Sequence, residues 1–161
     1  MIIFKKVRWK NFLSTGTTFT EINFTKSPNT LIVGNNGASE TYVASKAKNC
    51  DEIGFLNTTI RLDESISEAE LIQVIERLNE DDHIDGILVQ LPLPDHINNE
   101  KIINTIDPSK DVDGFHPMSA GKLVQGSPTF IPATPYGVML MLEHYQIETK
   151  GKHAVVIGRS N

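Results

Sequence analysis

Hydrophobic positions recur along this chain at two spacings. Over the first 37 residues they alternate with polar ones: Ile3, Val7 and Phe12 stand among polar and Thr-rich positions, then Phe19, Ile22 and Phe24 follow. That period of two predicts strands. Ser27-Pro28-Asn29 reads as a turn and Thr30-Leu31-Ile32-Val33 as a short buried strand ending at Gly34. From there the spacing lengthens. Val43, Ala47 and Cys50 line one helical face, predicting a helix from Ser39 to Ile53 closed by Gly54. Ser67 to Glu70 spells a capping box that opens a helix with Leu71, Ile72, Ile75 and Leu78 inward. A strand is expected from Ile84 to Leu91, then a short helix capped by Asn98 or Asn99, carrying Ile102, Ile103 and Ile106 and stopped by Pro108. A Gly/Pro-rich stretch to Pro132 reads as loop, and Thr134-Pro135 as N-cap and first turn of a helix to about Tyr145. His153 to Ile157 reads as a buried strand meeting Gly158. Alternating strands and helices predict an α/β protein with a largely parallel sheet.

Composition narrows the class. At 161 residues, with 39% hydrophobic and 22% charged, the chain is one globular domain's worth of sequence. No apolar run nears the ~18 residues of a membrane span, and Met1 to Lys6 is not a signal peptide, so no membrane association and a cytoplasmic location are expected. Cys50 is the single cysteine, which excludes an internal disulfide; the five histidines show no metal spacing, and no metal is expected. Charge is uneven. Lys5, Lys6, Arg8, Lys10 and Lys26 face only Glu21 in the first 37 residues, whereas the whole chain carries −5. Such a shift marks a candidate boundary.

Two stretches concentrate candidate chemistry. The strand through Val89 runs into polar Gln90 and then Pro92 and Pro94, which cannot donate to a sheet ladder. Gln90 therefore sits at the carboxyl rim of the sheet, where ligands of open α/β sheets collect. Lys110, Asp111 and Asp113 then crowd a tight loop closed by Gly114. Tyr42 and Lys46, four apart, share a helix face. Each has a plain structural alternative: a solvated lysine at 46, a strand terminator at 90, a turn-stabilising Asx residue at 113.

Order and company favour the chemical reading. Ala38 to Lys46, Gly86 to Pro94, Pro108 to Gly114, Pro132 to Gly137 and Gly151 to Ser160 together resemble the bifunctional methylenetetrahydrofolate dehydrogenase/cyclohydrolase family. The resemblance implies Lys46 as general acid/base of methenyl-tetrahydrofolate hydrolysis, Tyr42 packed on the folate, Gln90 tuning Lys46 and Asp113 binding the pterin edge. It implies NADP as cofactor, met by Gly158, Arg159 and Ser160, a tetrahydrofolate derivative as substrate, and a homodimer. Ala133 stands where many relatives have cysteine, with little effect expected.

The N-terminus resembles something else. Trp9 to Ser14 and Gly34-Asn35-Asn36-Gly37-Ala38 are similar to the start of SMC-like repair exonuclease ATPases. Their phosphate-binding loop needs Gly-Lys-Ser/Thr next; Ser39, Glu40 and Thr41 stand there instead, and Glu40 would repel phosphate. Nucleic-acid and ATPase functions are therefore not expected. The expected organisation is a chimaera: a foreign β-rich piece over 1–37 joined between Val33 and Ala38, a catalytic domain over 38–146, and the start of a Rossmann domain over 147–161. With little of the cofactor domain present, negligible dehydrogenase activity is expected of this chain.

Overall fold

The structure, a computed structural model, describes residues 6–9, 20–23, 27–34 and 37–157. The chain divides into two compact units, residues 1–131 and 132–161. In the first, β1 (Lys6–Trp9) pairs antiparallel with β2 (Thr20–Asn23). A three-stranded parallel sheet follows, in the order β4 (Thr58–Leu62), β3 (Ser27–Val33), β5 (Ile84–Val89). The helices α1 (Gly37–Ile53), α2 (Glu68–Glu80), α3 (Asn99–Thr105) and α4 (Pro117–Val124) complete the unit. The expected α/β class with a parallel sheet is observed.

The central strand corrects one expectation. β3 pairs with both β4 and β5, so Ser27–Val33 belong to the parallel sheet and not to a separate β-rich piece. Residues 31 to 33 are buried in succession, as a strand covered on both faces must be. Leu31 and Val33 join Leu71, Ile75, Ile84, Ile87, Val89, Ile102 and Ile106 in one core beneath α2 and α3. Ile32, pointing the other way, is buried outside that cluster, as is Val43 of α1. Ser27 to Asn29 lie within the strand rather than in a turn. The sheet tolerates Pro28 because the register with β5 slips between Ser27 and Pro28, and pairing with β4 starts only at Asn29.

Local signals behave as their chemistry dictates. Ser67 accepts from the Glu70 amide and the Glu70 carboxylate accepts from the Ser67 amide, closing the capping box. Asn98, not Asn99, caps α3, accepting from the Lys101 amide. Gly54, with φ +82°, ends α1 in the left-handed region that glycine alone enters freely. Two elements were not anticipated. β4 is an edge strand of Thr58-Thr59-Ile60-Arg61-Leu62, and its β-branched residues were a usable signal. α4 occupies part of the stretch expected to be loop, with His116 as N-cap and Pro117 in the first turn.

The second unit holds α5 (Ala133–His144), which begins ahead of the expected Thr134 cap. Pro132 is its N-cap and Pro135 sits in the first turn, where a missing N–H costs nothing. Its end is a Schellman closure: Gln146 adopts φ +55°, its amide donates to Glu143, and the Ile147 amide donates to Leu142. The strand expected over 153–157 is absent, and Ile157 is 96% exposed. A parallel strand exists only through its neighbours, and none of the described residues pairs with this segment. Among the described residues, no helix is long and apolar enough to cross a membrane.

Candidate functional site at the carboxyl ends of the central strands

α1 starts after β3 and carries Tyr42 and Lys46 one turn apart. β5 ends at Val89, and the Gln90 amide still donates to Leu31 of β3 at 2.9 Å, fixing the backbone at the sheet rim. The Gln90 side chain is fixed at both ends. Its Nε2 donates to the Leu91 carbonyl at 2.7 Å, and its Oε1 accepts from Lys46 Nζ at 3.2 Å. Reversing the amide would set N–H against ammonium and oxygen against carbonyl, so the neighbours determine its orientation. Gln90 and Lys46 are both half-buried. Tyr42 is 66% exposed.

Asp113 enters from the loop that follows α3. Loss of water pushes its carboxyl above the ordinary range; Lys46 pulls it down and Asp111 adds a further upward push. The Lys46 influence shows that the two charged groups share one neighbourhood. Lys46, Gln90 and Asp113, far apart in sequence, are thus brought together, with Tyr42 on the same helix as Lys46. Gly158, Arg159 and Ser160 lie outside the described residues.

The loop bearing Asp113 is built by residues that its charge pattern did not distinguish. Lys110 does not face the site. Its Nζ donates to the carbonyls of Leu78, Asn79 and Asp81 at the end of α2, at 3.0, 2.6 and 2.9 Å. These are carbonyls a helix leaves without internal partners, at its negative end. Asp111 is buried and accepts from the Phe115 and His116 amides and the Ser119 hydroxyl. The loop docks on β5: Ile87 donates to the Lys110 carbonyl at 2.8 Å, and Ile87 and Asp111 form a parallel bridge. Gly86 allows this approach, because a Cβ there would collide with Val112. Among the described residues, no group of His, Cys, Asp and Glu could hold a metal ion.

Comparison with known proteins identifies the family. Residues 14–113 match the catalytic domain of the tetrahydrofolate dehydrogenase/cyclohydrolase family. The chain belongs to that family. Residues 132–161 match the NAD(P)-binding domain of the same tetrahydrofolate dehydrogenase/cyclohydrolases. The chain is 59% identical over 131 residues to the bifunctional protein FolD of Flavobacterium johnsoniae, covering 81% of this chain and 44% of that protein. The FolD of Porphyromonas gingivalis is 53% identical over 131 residues, with the same 81% and 44% coverage. The crystal structure of the Campylobacter jejuni FolD enzyme superposes with a TM-score of 0.82 at 49% identity, covering 85% of this chain and 49% of that one. The Trypanosoma brucei enzyme, solved with NADP cofactor and inhibitor, gives 0.75 at 33% identity, covering 79% and 43%. The chain therefore spans about half the length of the relatives it matches. The catalytic-domain match starts at residue 14 and runs through the expected join between Val33 and Ala38. Together with the place of β3 at the centre of the sheet, this puts residues 14–37 within the family match rather than in a separate piece.

Proposed function

We propose that this chain carries the folate-handling half of a methylenetetrahydrofolate dehydrogenase/cyclohydrolase, acting in one-carbon metabolism. The full activity would oxidise 5,10-methylenetetrahydrofolate to the methenyl form and hydrolyse that to 10-formyltetrahydrofolate. The observation that carries this reading is the Lys46 Nζ to Gln90 Oε1 hydrogen bond at 3.2 Å, with Asp113 within electrostatic reach. In hydrolysis, water oxygen bonds to the methenyl carbon and Lys46, as the free amine, takes one proton. Lys46 then gives that proton to the nitrogen released as the carbon–nitrogen bond breaks, and the second water proton leaves to solvent as the formyl group forms. Gln90 Oε1 can accept an N–H from the amine in either protonation state, so the group stays aimed throughout. Asp113 can accept two parallel N–H bonds from the guanidine-like pterin edge. Tyr42, largely exposed, suits stacking on a flat heterocycle.

The hydride acceptor of the oxidation is NADP when bound, and Gly158, Arg159 and Ser160 are the residues proposed to meet it. That half of the reaction rests on the family match to residues 132–161. A homodimer, a cytoplasmic location and the absence of nucleic-acid partners belong to the same proposal. The decisive test follows methenyl-tetrahydrofolate absorbance with the 161-residue chain beside Lys46→Ala. Hydrolysis above background that disappears in the variant is expected; equal rates would overturn the assignment of Lys46.

A further inference from the structure

We propose that Asp111 is a positioning residue, holding the loop in the one conformation that presents Asp113 to Lys46. This rests on the folate-site reading above and concerns a residue that reading does not use. Asp111 is 1% exposed and cannot itself meet a ligand. Both of its oxygens are occupied. Oδ1 accepts from the Phe115 amide at 3.3 Å, and Oδ2 accepts from the His116 amide at 2.9 Å and from Ser119 Oγ at 2.6 Å. One buried side chain thus ties the residues just beyond Asp113 to the residue two positions before it.

Between these ties the chain has little freedom. On one side, Asp111 is bridged to Ile87 of β5 and Lys110 is anchored on the end of α2. On the other, Gly114 turns at φ +69° and its amide approaches the Asp111 carbonyl at 3.4 Å. His116 then accepts from the Met118 amide and starts α4, whose buried Ser119 returns to Asp111. Asp113 is therefore clamped from both ends by a network centred on one carboxylate. Preorganisation of this kind lets a half-buried carboxylate face an ammonium without collapsing onto it or swinging into water.

The test uses the full chain with Ser119→Ala, Asp111→Asn, Asp113→Asn and the double variant Ser119→Ala/Asp113→Asn. Asp111→Asn turns an NH2 toward a backbone amide and is the variant most exposed to misfolding. Ser119→Ala removes a single hydroxyl and keeps the test decisive. The first readout is the Asp113 titration, followed by carboxyl-carbon NMR and assigned by its loss in Asp113→Asn. In Ser119→Ala the midpoint is expected to fall, as a released loop admits water to Asp113; Asp111→Asn lowers it in any case by removing a neighbouring negative charge. An unmoved midpoint in Ser119→Ala overturns the proposal.

The second readout is hydrolysis of 5,10-methenyltetrahydrofolate. Ser119→Ala is expected to raise KM about 3- to 10-fold, the loss of one hydrogen bond, with kcat within about twofold. In the Asp113→Asn background it should add nothing, because its effect runs through Asp113. Additive effects, or a fall in kcat at constant KM, would show a merely structural role and overturn the proposal. A chain that never hydrolyses the substrate, yet shows the titration shift, rejects the folate reading and keeps the positioning role. A chain that hydrolyses it with Asp113 unmoved does the reverse.

Discussion

Lys110 is the residue whose role changed most between pattern and fold, and Lys110→Met tests that role directly. The methionine keeps an unbranched apolar stem of similar reach and removes only the ammonium. Lost with it are hydrogen bonds to the carbonyls of Leu78 and Asn79, both in part-buried surroundings, and to that of Asp81, which is exposed. A hydrogen bond to a charged group contributes about 1.5–3 kcal/mol, and an exposed one considerably less. The three share one ammonium and are not additive, so the loss should total roughly 2–4 kcal/mol. At this chain length, ~2–4 °C per kcal/mol turns that into a fall in Tm of roughly 5–15 °C. Urea unfolding followed by far-UV circular dichroism would read the same loss as a lower midpoint at constant slope. Lys110→Arg is expected to recover little of it, since a planar fork cannot aim at three carbonyls converging on one point. A loss below about 0.5 kcal/mol, the level of an ordinary surface change, would refute the view that Lys110 ties the loop to α2.

Two further outcomes follow from the same loop. Gly86→Ala should destabilise by roughly 1–3 kcal/mol through collision with Val112, and should weaken folate binding along with it, because Val112 lies between Asp111 and Asp113. Wild-type melting and unchanged substrate affinity in that variant would show that the loop has room to move. Asp113→Asn should stabilise the fold at neutral pH while weakening folate binding. The folded chain holds the Asp113 proton more tightly than the ordinary carboxylate value of 3.8, so the native state binds more protons and stability falls as pH rises through that window. Melting curves of both proteins should differ at pH 7 and converge below the ordinary value; a less stable Asn variant at pH 7 would reverse the sign of this argument.

Much of the architecture was legible because it depends on local chemistry. The capping box at Ser67 and Glu70, the glycine stop at Gly54 and the helical spacing of Val43, Ala47 and Cys50 act over a few residues, and each appears in the structure. Gln90 was legible as a rim residue because Pro92 and Pro94, which follow it closely, cannot donate to a ladder. Elements that depend on partners were not. Ser27 to Asn29 read as a turn because Pro28 is a breaker in isolation, yet a slipped register lets it enter the central strand. Residues 153–157 have the composition of a strand without a neighbour to pair with among the described residues.

The candidate site divides along the same line. Sequence alone determined the chemical inventory: an amine at Lys46, an amide at Gln90 at a strand end, and carboxylates at Asp111 and Asp113 in a tight loop. Tertiary structure decided which of them do what. Lys110, Asp111 and Asp113 occur within four positions, and no local rule tells them apart. Only packing sends Lys110 to the carbonyls of α2, buries Asp111 among backbone amides and leaves Asp113 partly desolvated within reach of the Lys46 charge. The physical reason is that a charge takes its role from the dielectric and the partners around it, and both are supplied by residues distant in the chain.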